Sequence, residues 1–423
     1  MNPNVSTNEP LWRTIVSGSQ MLFVAFGALV LMPLITGMDP SVALFTAGVG
    51  TLLFQFCTKG QVPIFLASSF VFISPIIYST TTWGMAATLG ALFCAGVLYM
   101  VLALAVKIFG SAFLHRLLPP VVVGPVIMVI GLGLAPIAVN MAVGKTGDAS
   151  AVLFPYMDAI IVSMSALLTT VIVATTGRGI FRLLPILAGV VAGYSVAWFM
   201  GMVDFSRASE AALFAVPNFI MPEFHLAAIL FMLPVAIAPA IEHVGDILAI
   251  GNVTGKDYIK KPGLHRTLFG DGIATSVAAL FGGPPNTTYS EVTGAVMLTR
   301  AFNPMIMVWA AVIAILLAFV AKFGILLQTI PSPVMGGILI LLFGSIAAVG
   351  LNTLIKGNVD LSQQRNLVIV AVTLVFGLGG MVVGEGEFAL KGVSLCGFAA
   401  IILNLVLPRS VDESSEKPAE VAK

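Results

Sequence analysis

Long stretches almost free of ionisable side chains limit this chain more than any other feature. Residues 84–109 and 302–328 carry a single charge apiece, Lys107 and Lys322. At ~1.5 Å per helical residue, either run is long enough to cross a ~30 Å hydrocarbon core. Only 9% of all residues are charged and mean hydropathy is +1.05, whereas soluble domains carry about 25% charged residues. A surface so poor in charge must face lipid. In lipid a backbone has to satisfy its own hydrogen bonds, which helices do. The expectation is an all-α polytopic membrane protein. A net charge of +1 with scattered Lys and Arg excludes a nucleic-acid partner.

The first apolar segment begins near Trp12, lacks a small-residue cleavage pattern and precedes many similar segments, so it reads as a retained helix. Cys57, Cys94 and Cys396 lie in apolar runs at no metal-like spacing. They read as packing residues, and no cofactor or metal site is expected.

Fourteen candidate transmembrane segments start near residues 12, 41, 62, 84, 117, 155, 180, 225, 265, 285, 302, 331, 366 and 388. Two are interrupted. The third carries Pro63 and Pro75 with Ser68 and Ser69 at its centre; the tenth is short and polar and follows Gly282-Gly283-Pro284-Pro285. With the N-terminus cytoplasmic, this count leaves only Lys145, Arg207, Lys322 and Lys391 outside, as the positive-inside rule requires. The expected organisation is a cytoplasmic tail (1–11), a first repeat with spans one to seven (12–202), an extracytoplasmic linker (203–224), a second repeat with spans eight to fourteen (225–408), and a disordered cytoplasmic tail (409–423).

Two stretches half a chain apart read alike: LLPPVVVGPVIMVIGLGLA from Leu117 and TIPSPVMGGILILLFGSIA from Thr329. Pro119 matches Pro331, and Gly124 matches Gly336. An odd number of crossings separates the copies, so the halves are expected to be inverted. The broken segments three and ten occupy corresponding positions, which is where transporters build binding sites. An unwound segment frees N–H and C=O groups that are tolerable only beside a cavity or ligand. The residues that free them are Ala67-Ser68-Ser69-Phe70 and Thr287-Thr288-Tyr289-Ser290.

Three carboxylates stand out inside apolar segments, where each ionised one costs about 2.5–3.5 kcal/mol. Glu242 and Asp246 are four residues apart on one helical face; Glu291 lies on the broken tenth segment. Two carboxylates in a poorly solvated site disfavour double ionisation, which suits a proton-coupled carrier. His243 points about 100° away from the pair and reads as packing. Asp271 reads as structural, as do Glu385 and Glu387.

These residues sit in strings that resemble the nucleobase–ascorbate transporter family (nucleobase–cation symporter family 2), and within it the bacterial uracil–proton symporters: GTLLFQFCTKGQVPIFLASSF, EHVGD, KPGLHRTLFGDGIAT, GGPPNTTYSE and TGAVMLTR. The resemblance runs from about Trp12 to Pro408. It implies two inverted seven-segment repeats divided into core and gate domains, with substrate held between the half-helices of segments three and ten and the face of segment eight. Carried over by position, Glu242 and Glu291 accept N–H bonds from a base. Phe70 and Tyr289 supply rings and backbone N–H groups beside Ser290, and Ala28 and Ser69 line the pocket. Glu242 and Asp246 form the proton-coupling pair. The resemblance further implies an inner-membrane symporter with both termini cytoplasmic, an elevator-like motion, and a homodimer through the gate domain.

Four positions depart from the uracil group. Asp246 stands where its symporters have His and looks more like purine-transporting members. Val292 replaces Asn, and Phe343 and Met21 stand where Tyr and His are common. A xanthine or uric acid permease of the same family and a sodium-coupled carrier therefore stay open. A channel or anion carrier of similar architecture would be expected to place basic residues at its pore, where this sequence has acids. An intramembrane enzyme is not expected, because the four histidines are dispersed.

Overall fold

The computed structural model describes residues 10–110, 118–179, 181, 184–210, 212–384 and 390–408. The expected C-terminal tail, residues 1–9 of the N-terminal one, and Glu385 and Glu387 lie outside them. The first half opens with α1 (Leu11–Thr36) and α2 (Pro40–Cys57). Asp39 caps α2 by accepting the Ser41 N–H at 2.8 Å, and Pro40 takes the first helical position, where a missing N–H costs nothing. The chain is then extended through strand β1 (Leu66–Ser68) and makes one 3₁₀ turn (Phe70–Phe72) before α3 (Ile73–Trp83). The interruption therefore lies before residue 73. Pro75, read from sequence as a second break, sits in the first turn of α3, where no N–H is needed. Helices α4 (Met85–Phe109), α5 (Pro120–Ala142), α6 (Tyr156–Thr176) and α7 (Pro185–Phe199) complete the half.

After a short helical turn (Ser206–Glu210), the second half follows the same order. It contains α8 (Leu226–Thr254), α9 (Leu264–Leu280), β2 (Asn286–Thr288), α10 (Ser290–Thr299), α11 (Met305–Ala318), α12 (Ala321–Gln328), α13 (Ser332–Lys356) and α14 (Gln364–Leu378). A small hairpin, β3 (Val382–Val383) with β4 (Leu390–Lys391), leads into α15 (Gly392–Val406). Among the described residues, seven helices are individually long and apolar enough to cross a membrane: α1, α2, α4, α5, α6, α8 and α13. The run 302–328, which reads from sequence as one straight span, is bent by 82° between α11 and α12. Val320, at φ −83° and ψ 86°, ends the first helical path.

Two groups of helices pack around separate seams. Helices α1, α2, α4, α8, α9 and α11 surround the strands; α5, α6, α7, α13, α14 and α15 pack on one another, and α8 meets α5 and α15 where the groups touch. The two similar proline-led helices, α5 and α13, form the heart of the second group. Gly124 lies against Gly350 near the start of one and the end of the other, and Gly336 lies against Ala142 at the opposite ends. The pair is antiparallel, as inversion of the halves requires. Their backbones approach so closely that a Cβ on Gly336 would stand 2.7 Å from Ala142 Cα. Small residues permit such close approach between helices in lipid.

Candidate functional site

The two broken segments meet each other. Strands β1 and β2 pair antiparallel, with Leu66 opposite Thr288, Ala67 opposite Thr287 and Ser68 opposite Asn286. Pro63 and Pro284-Pro285 bias the residues before them away from helix, and the β-branched Thr287 and Thr288 suit an extended backbone. Each segment turns helical again just beyond the strand. The crossing therefore gathers the N-terminal ends of α10 and of the 3₁₀ turn leading into α3, whose first N–H groups lack intrahelical partners and carry the positive end of the helix dipole.

Buried side chains take up the backbone groups that unwinding frees. Gln55 donates to the Val62 and Ile64 carbonyls at 2.9 and 3.1 Å, and the Thr51 hydroxyl accepts the Leu66 N–H at 3.0 Å. Thr275 donates to the Asn286 carbonyl at 2.6 Å, and Asn286 donates through Nδ2 to the Thr46 carbonyl at 3.0 Å. The Ser69 N–H donates to the Pro285 carbonyl at 2.9 Å, tying the two segments together. This near-complete pairing keeps an extended backbone inside a membrane protein.

A polar cluster underlies the crossing. Thr288 donates to Asp246 Oδ2 at 2.8 Å, and Thr287 donates to Asp271 Oδ2 at 3.1 Å. His243, fully buried, places Nδ1 3.5 Å from Asp271 Oδ2 and 3.4 Å from the Thr288 hydroxyl. His243 and Asp271, read from sequence as packing and structural residues apart from the acidic pair, thus belong to one network with Asp246. The reason is tertiary: α9 packs beside α8, so a residue turned away from Glu242 on its own helix faces a polar neighbour on the next.

Glu242 and Asp246 share a helix face but not an environment. Asp246 is buried against the strand; Glu242 is half-buried, and Glu291, in the first turn of α10, is exposed. The Glu242 carboxyl is within electrostatic reach of Asp246, Glu291 and Asp271. Four acids of the second half therefore gather around the crossing. Phe70 opens the 3₁₀ turn, Ser69 precedes it, Tyr289 precedes α10, and all three are buried, as is Ala28 on α1. The Ser68, Ser69, Tyr289 and Tyr99 hydroxyls are buried with no partner among the described residues. The side chain of Ser290 lies outside the described residues, although its backbone begins α10.

Sequence reasoning missed Gln55, Thr51, Thr275 and Tyr99. A lone amide in the apolar string GTLLFQFC was the available signal for Gln55; the single hydroxyls carried none. Among the described residues, no group of three or more His, Cys, Asp or Glu is arranged to hold a metal ion.

Comparison with known proteins bears on this geometry. The family model described as Permease family (Xan_ur_permease) matches residues 13–386. The chain is 58% identical over 411 residues to a protein of Haemophilus influenzae named "Probable uracil permease", covering 97% of this chain and 98% of the relative. It is 44% identical over 405 residues to the uracil permease of Bacillus subtilis, covering 94% and 93% respectively. Among solved structures, the transmembrane domain of the cyanobacterial bicarbonate transporter BicA aligns with a TM-score of 0.62 at 16% identity, over 93% of this chain and 97% of that one. That likeness is one of fold.

Proposed function

Because the chain belongs to the Permease family, in the nucleobase–cation symporter 2 group, we propose that it imports uracil in symport with protons across the inner membrane. It is a multi-pass membrane permease and not an enzyme, and its uracil-permease relatives support a nucleobase as the cargo. The observation that carries the finer reading is the strand crossing, one strand from each half, with Glu242 and Glu291 of the second half beside it. Uracil presents N–H donors and carbonyl acceptors on one planar ring. Carboxylates accept from the donors, and the unpaired N–H groups at the starts of the half-helices donate to the carbonyls. Phe70 and Tyr289 flank the ring, with Ser69, Ser290 and Ala28 completing the wall.

In this mechanism a proton held by the Glu242/Asp246 pair neutralises the site, and the base then binds. The group carrying the strands moves as a core against the α5–α7 and α13–α15 group, which acts as the gate. Fourteen crossings in two inverted repeats, both termini cytoplasmic and a homodimer through the gate belong to the same reading. One proton driven by 100 mV supplies about 2.3 kcal/mol, which supports roughly fiftyfold accumulation. Charge separates this chain from an anion carrier of the same fold, because the side chains gathered at the crossing are acidic.

A second reading, a purine base such as xanthine or uric acid, rests on Asp246. Its burial and its bond to Thr288 favour a role in holding the crossing over one in touching cargo. The test is uptake of labelled uracil by proteoliposomes under an imposed pH gradient without sodium. Stimulation by the gradient is expected. Uptake indifferent to the gradient but dependent on sodium would defeat proton coupling, and uptake suppressed by xanthine rather than uracil would move the assignment to purines.

A further inference from the structure

A cavity of about 580 Å³ opens between the C-terminal ends of α2 and α4 and the start of α9, apart from the strand crossing. This volume falls within the ~300–1,000 Å³ range of small-molecule sites. Its walls have two characters. Val101, Leu104 and Phe269 line one part and are all exposed at the surface of the protein. Lys107, His265 and Arg266 line the other. Lys107 sits in the last turn of α4, and His265 lies within electrostatic reach of both Lys107 and Arg266. Arg266 donates to the Cys57 carbonyl at 3.3 Å, which fixes its guanidinium at the wall.

No carboxylate lines the cavity, and among the described residues neither Lys107 nor Arg266 has one within salt-bridge distance. Three basic side chains thus converge at the end of an apolar groove whose wall is exposed at the protein surface. Such a wall matches a molecule with an anionic head and a long apolar tail, and a free anion would leave the groove empty. We infer that this cavity is a binding site for an anionic phospholipid, its phosphate held by Lys107 and Arg266 and one acyl chain laid along Val101, Leu104 and Phe269. Basic pockets at the ends of membrane helices recognise lipid headgroups in this way.

The test is native mass spectrometry of the purified full-length protein titrated with phosphatidylglycerol or phosphatidylcholine. Because Arg266 also braces Cys57, the variants are Lys107→Gln, which removes a charge, and Val101→Trp, which fills the groove. Wild type is expected to retain phosphatidylglycerol over phosphatidylcholine. Lys107→Gln should cut that preference about fivefold, the contribution of one basic residue at an anionic surface. Val101→Trp should lower retention of both lipids, while Lys256→Gln, an exposed residue outside the cavity, should change nothing. Equal retention of the two lipids by wild type, or an unchanged preference in Lys107→Gln, would overturn the inference. So would displacement of phosphatidylglycerol by inorganic phosphate at equal concentration, which would make the cavity a simple anion site.

Discussion

Replacing Gln55 by Met tests why an unwound backbone survives here. Met keeps the length and most of the volume but has no donor. The Ile64 carbonyl, bonded to Gln55 Nε2 at 3.1 Å, would lose its partner, and the Val62 carbonyl, bonded to it at 2.9 Å, would keep only the Ile64 N–H, in a site where Gln55 itself is 5% exposed. Stranding the Ile64 carbonyl costs about 1–3 kcal/mol, and losing one of the two bonds to the Val62 carbonyl costs about 0.5–1.5 kcal/mol. One term offsets this: Gln55 Oε1 is buried with no partner, and removing it recovers about 1–3 kcal/mol. The net destabilisation is about 0.5–1.5 kcal/mol, concentrated just before β1 begins. The assay is the midpoint of thermal aggregation of the detergent-solubilised protein, followed by size-exclusion chromatography, with uracil binding measured on the same samples. A lowered midpoint with weakened binding is expected. A Gln55→Met protein as heat-resistant as wild type, and as tight for uracil, would refute the claim that side-chain donors hold the crossing open.

Glu242→Gln should fold normally yet weaken uracil binding by about 10- to 150-fold, the value of a hydrogen bond to a charged group at 1.5–3 kcal/mol; calorimetric titration reads it directly. Asp246→Asn keeps an oxygen for the Thr288 hydroxyl, so binding should stay within about threefold of wild type. Gradient-driven uptake should nevertheless collapse, and uptake that survives intact would remove Asp246 from the coupling pair. Gly336→Val forces a branched side chain into the backbone of Ala142 and should cost at least about 1–3 kcal/mol, seen as loss of the monodisperse peak. Labelled uracil uptake should be suppressed by unlabelled uracil and unaffected by xanthine, and equal suppression by both would favour the purine reading.

The membrane class was legible because lipid imposes a single requirement, apolar length, that a sequence displays openly. The interrupted segments were legible for the opposite reason: prolines and clustered hydroxyls have no business in a straight span. The matching of Pro119 with Pro331 and of Gly124 with Gly336 foretold an antiparallel pair, and α5 and α13 form one. What failed was anything decided by a neighbour distant in sequence. Val320 bends a run that is apolar throughout, so hydropathy passes over it. His243 was assigned by its angle on α8 alone, while its surroundings are set by Asp271 on α9 and Thr288 on β2. Gln55, near the end of α2, reaches carbonyls of the next segment whose need for a donor arises only once the chain has unwound.

The pairing of β1 with β2 has a consequence for how such a protein comes into being. Each strand is three residues long and has its partner in the opposite half, so a solitary half would present a raw backbone edge to the bilayer, the kind of edge that invites wrong partners. The first half leaves the ribosome with its strand unmatched and must wait for the second to be inserted. Expressed as two separate polypeptides, the halves should therefore be degraded singly and persist only together, since each is the missing hydrogen-bonding surface of the other.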